Sequence, residues 1–370
     1  MEKHSQFSCI QSYPVMPDFP DSGSLWSVRQ KRLQEMAVII TVSVLFGVLY
    51  PLVNREFDNP WAFFNGGIIG LLGGLTIALS EDRSHYTKIR RKHFLRRLVV
   101  NTLLYTLYFA LIIALVMGIT YGQITGPGFG QYFTGPEFRY FILNGDYITI
   151  LLYALFFCGL VSFSINMSHK VESKVIINII NGKYHQPKTE QRIFLSFDLN
   201  NSTTIAEKLG EASFFDFLNH FYLDLTPAII GTNADIYRYV GDQVTISWPV
   251  KSKRENRQYL NTYLLASQQI ADKGQYYLDH WGVTTEFKSV FHAGKVVAGE
   301  IGDTKRQFVY HGKLFQTMFL VEKLCKPNGV PVLITAVAAD LMGLSADQLR
   351  PVTQLATEES GEEFSLYTIR

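Results

Sequence analysis

The sequence predicts a four-helix transmembrane bundle followed by a cytosolic α+β domain, and three observations carry that expectation. Four apolar stretches, 36–53, 61–79, 98–119 and 147–165, contain no charged side chain, and each is near the ~20 residues a helix needs to cross a bilayer. After residue 187 the pattern changes to short strand-like runs alternating with helical ones, the order of a sheet with helices packed on it. Between the two, 166–187 reads as an amphipathic linker helix with Val171, Val175, Ile176, Ile179 and Ile180 on one stripe, closed by Gly182 and Pro187. The division is therefore 1–35 as a cytosolic tail, 36–165 as the membrane domain, 166–187 as the linker and 188–370 as the second domain.

Placement of Lys and Arg orients the membrane part. Arg29, Lys31 and Arg32 precede the first stretch, and Arg83, Lys88, Arg90, Arg91, Lys92, Arg96 and Arg97 lie between the second and third. The other connecting segments hold only Arg55 and Arg139. By the positive-inside rule both termini and the second domain are cytoplasmic, which describes an integral protein of the cell (inner) membrane with the lipid bilayer as a partner. A long polar and mixed segment precedes the first stretch and no small-residue cleavage site follows it, so that stretch is expected to stay rather than leave as a signal peptide.

The net charge is only +2 and topology accounts for the basic side chains, so nucleic-acid binding has no support. Cys9, Cys158 and Cys325 are scattered without CxxC or metal-ligand spacing, so neither a disulfide nor a zinc site is expected. His292 and His311 read as polar strand and loop residues. In the second stretch Gly66, Gly70 and Gly74 share a helical face that admits another helix closely, as packing inside the bundle, as a dimer contact or as part of a ligand cleft. Asn101 reads as an interhelical hydrogen-bonding group.

In the second domain a strand at 192–197 leads into a helical run from 202 to 230, where Phe214, Phe215, Phe217, Leu218 and Phe221 form a thick apolar face. Strands at 235–240 and 243–248 flank a tight turn at Gly241 and Asp242. A helix over 254–277, strands at 285–293 and 295–301, a loop, a helix over 314–325 and short strands at 330–334 and 364–369 complete the order.

Asp198 closes the first of these strands and Asp242 sits in the hairpin turn, so both carboxylates can be held rigidly at one edge of a sheet. Hard oxygen donors fixed this way are how proteins place a pair of divalent metals for phosphoryl chemistry. A single Asp at a turn is ordinarily a turn or cap residue; the pair is what points to nucleotide chemistry.

Four stretches surround and extend that pair: Phe197-Asp-Leu-Asn-Asn-Ser-Thr203, Tyr239-Val-Gly-Asp242, Phe291-His-Ala-Gly294 with Val297-Ala-Gly-Glu-Ile-Gly302, and Phe364-Ser-Leu-Tyr-Thr-Ile369. In this order and spacing they resemble the F-x-D-I-x-G-F-T, T-I-G-D and H-x-G-x-V-x-A-G-x-I-G motifs and the terminal strand of class III nucleotidyl cyclases, the adenylate and guanylate cyclases. The resemblance covers 192–370, about half the chain. It implies a class III nucleotidyl cyclase domain with a ferredoxin-like palm core. It further implies a nucleoside triphosphate as substrate, with ATP favoured, two divalent metal ions (Mg2+ or Mn2+) as cofactors, and a head-to-tail homodimer.

In the reaction so implied, the ribose 3′ hydroxyl attacks the α-phosphate and pyrophosphate leaves. Asp198 and Asp242 would bridge the metals, and the backbone carbonyl of Leu199 would complete one site. Backbone N–H groups of Asn200, Asn201, Ser202 and Thr203, where a helix begins, would hold phosphate oxygens. Asn201 stands where the family has Gly, a mild departure because Asn tolerates turn conformations.

The partner half of the implied site departs further. Arg238 takes the base-reading position that is commonly Lys, and Val309 that of its Asp or Thr partner. Gln316 takes the position of the transition-state Asn, and Leu320 that of the transition-state Arg. Arg238 brings only donors and Val309 accepts nothing, so the adenine pair is broken, and the guanine pair of an acidic and a small polar residue is absent too. GTP and pyrimidine triphosphates stay as alternatives to ATP. Leu320 cannot donate, and loss of one such donor costs about 10² to 10³ in rate; Lys305, Arg306 and Lys313 are nearby substitute cations. With Leu314, Phe315, Met318, Phe319 and Leu324 around it, Leu320 also reads as a core residue. The alternative function is a catalytically silent, cyclase-like receptor or regulatory domain. A diguanylate cyclase is set aside, because its G-G-[DE]-E-F turn is absent at Val240-Gly-Asp-Gln243.

Overall fold

The computed structural model describes residues 22–54, 58–84, 94–125, 129–143, 146–168, 184, 186–304, 307–356 and 363–370. The stripe of the linker helix, Lys305, Arg306, Cys9 and most of the basic segment between the second and third apolar stretches lie outside the described residues. The chain divides into two compact units, one over 29–177 and one containing 178–370.

In the first unit the helices are α1 (Ser22–Val53), α2 (Pro60–Ser84), α3 (Phe94–Thr125), two short helices α4 (Phe129–Thr134) and α5 (Pro136–Leu143), and α6 (Asp146–Ser168). Four of them are long and apolar enough to cross a membrane, over Leu33–Val53, Pro60–Glu81, Phe94–Tyr121 and Tyr147–Met167. Their apolar side chains lie on inward and outward faces alike, the pattern a bilayer solvent would require: Tyr105, Phe109 and Ile113 of α3 are buried while Leu103, Leu107 and Leu111 face outward.

The glycine face of α2 packs inside this unit against α1. A Cβ on Gly66 would lie 2.2 Å from the Gly47 carbonyl oxygen, and one on Gly70 would lie 2.4 Å from that of Ser43. Because the obstacle is backbone, Gly66→Val should force the helices apart and destabilise the unit by about 1–3 kcal/mol. Detergent-titrated unfolding measures this, and an unchanged midpoint would contradict the crossing. Asn101 makes the expected interhelical bond, donating from Nδ2 to Glu81 Oε1 at 3.3 Å. Glu81 lies just beyond the expected second stretch and also accepts from Tyr105 at 2.5 Å and pairs with Arg97 at 3.4 Å.

The second unit holds β1 (Lys188–Leu199), α7 (Ser202–Leu209), α8 (Glu211–Gly231), β2 (Asp235–Val240), β3 (Gln243–Pro249), α9 (Lys253–Asn256), α10 (Leu260–Asp272), α11 (Gly274–Trp281), β4 (Phe287–Ile301), β5 (Gln307–His311), α12 (Leu314–Lys323), β6 (Val332–Thr335), α13 (Ala336–Met342), β7 (Leu349–Ala356) and β8 (Glu363–Ile369). The strands form one mixed sheet in the order β2-β3-β1-β4-β6-β8-β7, with β5 beside the far end of β4. The architecture is therefore four candidate membrane helices followed by a mixed α+β sheet domain, the fold class expected.

Several elements differ from the sequence reading, each for a physical reason. The helical run 202–230 breaks at Gly210, whose φ of +75° is open to glycine but not to a side chain. The run 254–277 breaks into α9, a 3-10 turn at Arg257–Tyr259, α10 and α11. The two strands expected on either side of Gly294 are one strand, because that glycine marks no turn; it is where Leu314 of α12 approaches, 3.1 Å from the position a Cβ would take. The region after it, read as a loop, contains β5, and α13 and β7 were not expected at all.

Side-chain alternation along β1 sorts the core. Ile193, Leu195, Phe197 and Leu199 face the layer of α8 and α10, packing with Phe217, Phe221, Tyr263 and Ile270. Phe194 faces the opposite layer with Val290, Leu314, Met318 and Val321, on the side of α12. Both faces of β1 are buried, so Asp198, which shares the face of Phe194, is also carried into a covered layer.

Candidate active site

Sheet register brings the two aspartates together. Asp198 pairs with Gln243 across β1 and β3, which places it beside Asp242 in the turn that joins β2 to β3. That turn is pinned from outside the sheet: Gly241 holds a φ of +59°, and Tyr222 of α8 donates to its carbonyl oxygen at 2.9 Å. Burial and then the Asp242 charge raise the Tyr222 phenol, so it stays a neutral donor.

Register also brings two residues the sequence reading missed. Lys288 lies opposite Asp198 across β1 and β4, and its ammonium is 2.5 Å from Asp198 Oδ2 and 3.4 Å from Glu322 Oε1 of α12. The Gln243 amide donates to Glu322. Only the strand pairing could have revealed this, since nothing in Glu286-Phe-Lys-Ser289 marks Lys288 apart from other lysines. The cluster is crowded with carboxylates. Burial raises Asp198, with the Lys288 hydrogen bond opposing and the Asp242 charge reinforcing that shift. Burial and then the Asp198 charge push Glu322 up to about 7. For Lys288 burial works downward, and the hydrogen bond and charge of Asp198 outweigh it, so the ammonium is held.

Asp198 and Asp242 offer the hard oxygen donors that the divalent cations implied by the resemblance take, although among the described residues no group of three or more His, Cys, Asp and Glu side chains is placed to hold a metal ion. Lys288 already supplies one positive contact to Asp198, so a cation there would share that carboxylate with the ammonium.

Beyond Asp198, Leu199 ends β1 and Asn200 turns the chain into α7. Asn201 takes the left-handed conformation, φ 55° and ψ 31°, expected where the family has Gly. The helix starts at Ser202 with no side-chain cap, leaving its first turn open to an anion around Ser202 and Thr203. The Asn200 N–H differs from the expectation: it donates to Glu286 O at 2.9 Å and is committed to the sheet.

The residues expected in the partner half stand elsewhere on the unit. A register shift between Ile236 and Arg238 turns β2 at this point, and the exposed Arg238 guanidinium lies 5.1 Å from the Tyr237 ring centroid and 5.5 Å from that of Phe315. Val309 pairs with Gly299 across β4 and β5, and Gln316 is exposed in the first turn of α12. Leu320 is not a core residue as its neighbours suggested. Leu314, Met318 and Val321 take the buried face, while Phe319 is 57 % and Leu320 39 % exposed. The helix period excludes 320 from the stripe formed by 314, 318 and 321.

His292 is structural, as expected, but buried rather than merely polar: its Nδ1 lies 2.9 Å from Thr335 Oγ1, and burial pushes its pKa down to about 4. The unfolded chain, with a His near ~6.5, binds the extra proton between those values. Stability present above about pH 6.5 should therefore fall toward pH 4, by about 3 kcal/mol. Melting of wild type and His292→Gln across that window tests this, since the variant should lose that share of the slope.

Comparison with known proteins finds matches to about half of the chain. No protein-family model matches the sequence. Adenylate cyclase 2 of Rhizobium meliloti (strain 1021) is 27 % identical over 215 residues, which is 58 % of this chain and 57 % of that protein, so the match spans little more than half of the relative's length. Among solved structures, the adenylyl cyclase CyaB from P. aeruginosa aligns with a TM-score of 0.44 at 16 % identity, covering 50 % of this chain and 96 % of that one. The guanylyl cyclase Cya2 aligns with a TM-score of 0.42 at 12 % identity, covering 50 % and 93 %.

Proposed function

We propose that this chain, which is similar over 58 % of its length to an adenylate cyclase, is a membrane-bound nucleotidyl cyclase of class III that forms a 3′,5′-cyclic nucleotide and pyrophosphate. The observation that carries the reading is the meeting of Asp198 and Asp242 at one sheet edge, beside the uncapped start of α7. Two divalent cations, Mg2+ or Mn2+, when bound would neutralise the triphosphate and make the 3′ hydroxyl more acidic. Asp198 and Asp242 would hold them, with the Leu199 carbonyl as a further oxygen donor. The Ser202 and Thr203 N–H groups would orient phosphate oxygens through the positive end of the helix. Tyr222 fixes the turn that carries Asp242, and the Lys288 contact opposes the rise in Asp198 proton affinity that burial causes.

Arg238, Val309 and Gln316 belong to the base-reading and transition-state half, supplied by the partner in a head-to-tail homodimer. ATP is the favoured substrate because the R. meliloti relative is named an adenylate cyclase. The stacked Arg238 and the apolar Val309 support no particular base. Incubating the full-length protein in membranes with each of the four ribonucleoside triphosphates and Mg2+ or Mn2+ should give cyclic product, most from ATP. No product from any of the four, with the fold intact, would sink the enzyme reading.

A second reading, a silent cyclase-like regulatory domain, is favoured by the outward apolar Leu320, and nucleotide binding without turnover is its signature. Placement of the catalytic domain in the cytoplasm rests on the Lys and Arg asymmetry. Protease added outside sealed, right-side-out vesicles should leave 188–370 intact; cleavage there would reverse the orientation.

A further inference from the structure

The four-span unit contains a cavity of about 310 Å³ at the end of the bundle where α1 passes to α2, the end away from Glu81 and Arg97. Its shape follows from the helix crossing. Gly47 and Gly66 bring the α1 and α2 backbones into contact, and large rings gather around the space beside that contact. Phe46 stacks on Phe157 at a centroid distance of 4.4 Å, and Phe109 meets Phe157 edge-on at 6.0 Å. The volume lies at the low end of small-ligand pockets, about 300–1,000 Å³.

The lining defines what fits. Among the described residues no Asp, Glu, Lys, Arg or His lines the cavity, so an ion would be desolvated there without a counter-charge. One polar group is under-used. Asn65 is 7 % exposed, and its Oδ1 accepts from Thr120 Oγ1 at 2.9 Å. Its Nδ2 faces Met117 Sδ at 3.7 Å. A thioether is a weak acceptor, so a buried amide donor stands at the cavity wall without an oxygen partner.

We infer that this cavity is a binding site for an uncharged, mainly apolar molecule that presents one oxygen acceptor to Asn65 Nδ2 and its body to the aromatic walls. Two sources carry that chemistry: a small molecule from solution, or the ester carbonyl end of a bilayer lipid. The inference does not depend on nucleotide turnover, and its test reads binding alone.

Benzophenone is a suitable probe, being a neutral diaryl ketone whose light-activated carbonyl inserts into nearby C–H bonds. Full-length protein in nanodiscs would be illuminated with it and the labelled peptides mapped. Labelling should saturate at Met117 and its neighbours and be displaced by dicyclohexyl ketone. Asn65→Leu should raise the half-displacing concentration by about tenfold. Equal labelling in ester-linked and ether-linked phospholipid discs assigns the solution source, and labelling confined to ether-linked discs assigns the lipid ester as occupant. Unsaturable, undisplaced labelling spread over the outward Leu103, Leu107 and Leu111 in both discs would overturn the site. A folded Asn65→Leu that is displaced like wild type would overturn the role of the amide. If that variant does not fold, displacement in wild type still decides whether the cavity binds.

Discussion

Asp198→Ala and Asp242→Ala, each made separately in the full-length protein, should lower cyclic nucleotide formation by about 10³-fold or more, because the proposed two-metal site would lose a shared carboxylate and with it the stabilisation of developing charge. The structure adds a second expectation for Asp198. Its carboxylate sits in a crowd with Glu322 and Asp242 and has its proton affinity raised by burial, so its removal relieves repulsion while Lys288 keeps Glu322 as a partner. Thermal stability should therefore stay near that of wild type. Product formation in membranes and a melting curve on the same preparation measure both; near-wild-type turnover by either variant would refute the metal assignment.

Leu320→Arg should raise the rate by about 10² if the alignment with the family's transition-state Arg is right, since one preorganised donor is worth about 10² to 10³. The outward, 39 % exposed position of Leu320 makes this a clean experiment. A guanidinium there displaces no core packing, whereas the same change at Met318 or Val321 would bury an unpaired charge. Steady-state kinetics with the best triphosphate give the answer. An unchanged kcat in a folded variant would mean that position 320 does not face the substrate or that another cation already serves, and Lys313 on the described surface would be the next residue to replace.

What was legible in the sequence was local. Each apolar stretch announces its helix through length alone, and Asp198 and Asp242 stand out because each closes or joins a strand. Gly210 ends a helix that apolar periodicity carries through, whereas Gly294 looks like a strand boundary in the sequence and serves a helix approach; the same residue type has opposite meanings that only backbone conformation separates. The strands β5 and β7 escape the sequence reading because edge segments, each paired with a single neighbour, take their strand character from that neighbour rather than from their own composition.

By itself the sequence determined the four membrane-length helices, the α+β order of the second unit and the candidate pair of carboxylates, all properties set by composition and spacing within a few residues. Tertiary structure alone decided the rest. It put Lys288 and Glu322 on Asp198, turned Leu320 out of the core, committed the Asn200 N–H to the sheet and left a cavity beside the Gly47 and Gly66 crossing. These are long-range facts: strand register and helix rotation fix which side chains share a face, and both are settled by packing the whole sheet and bundle at once.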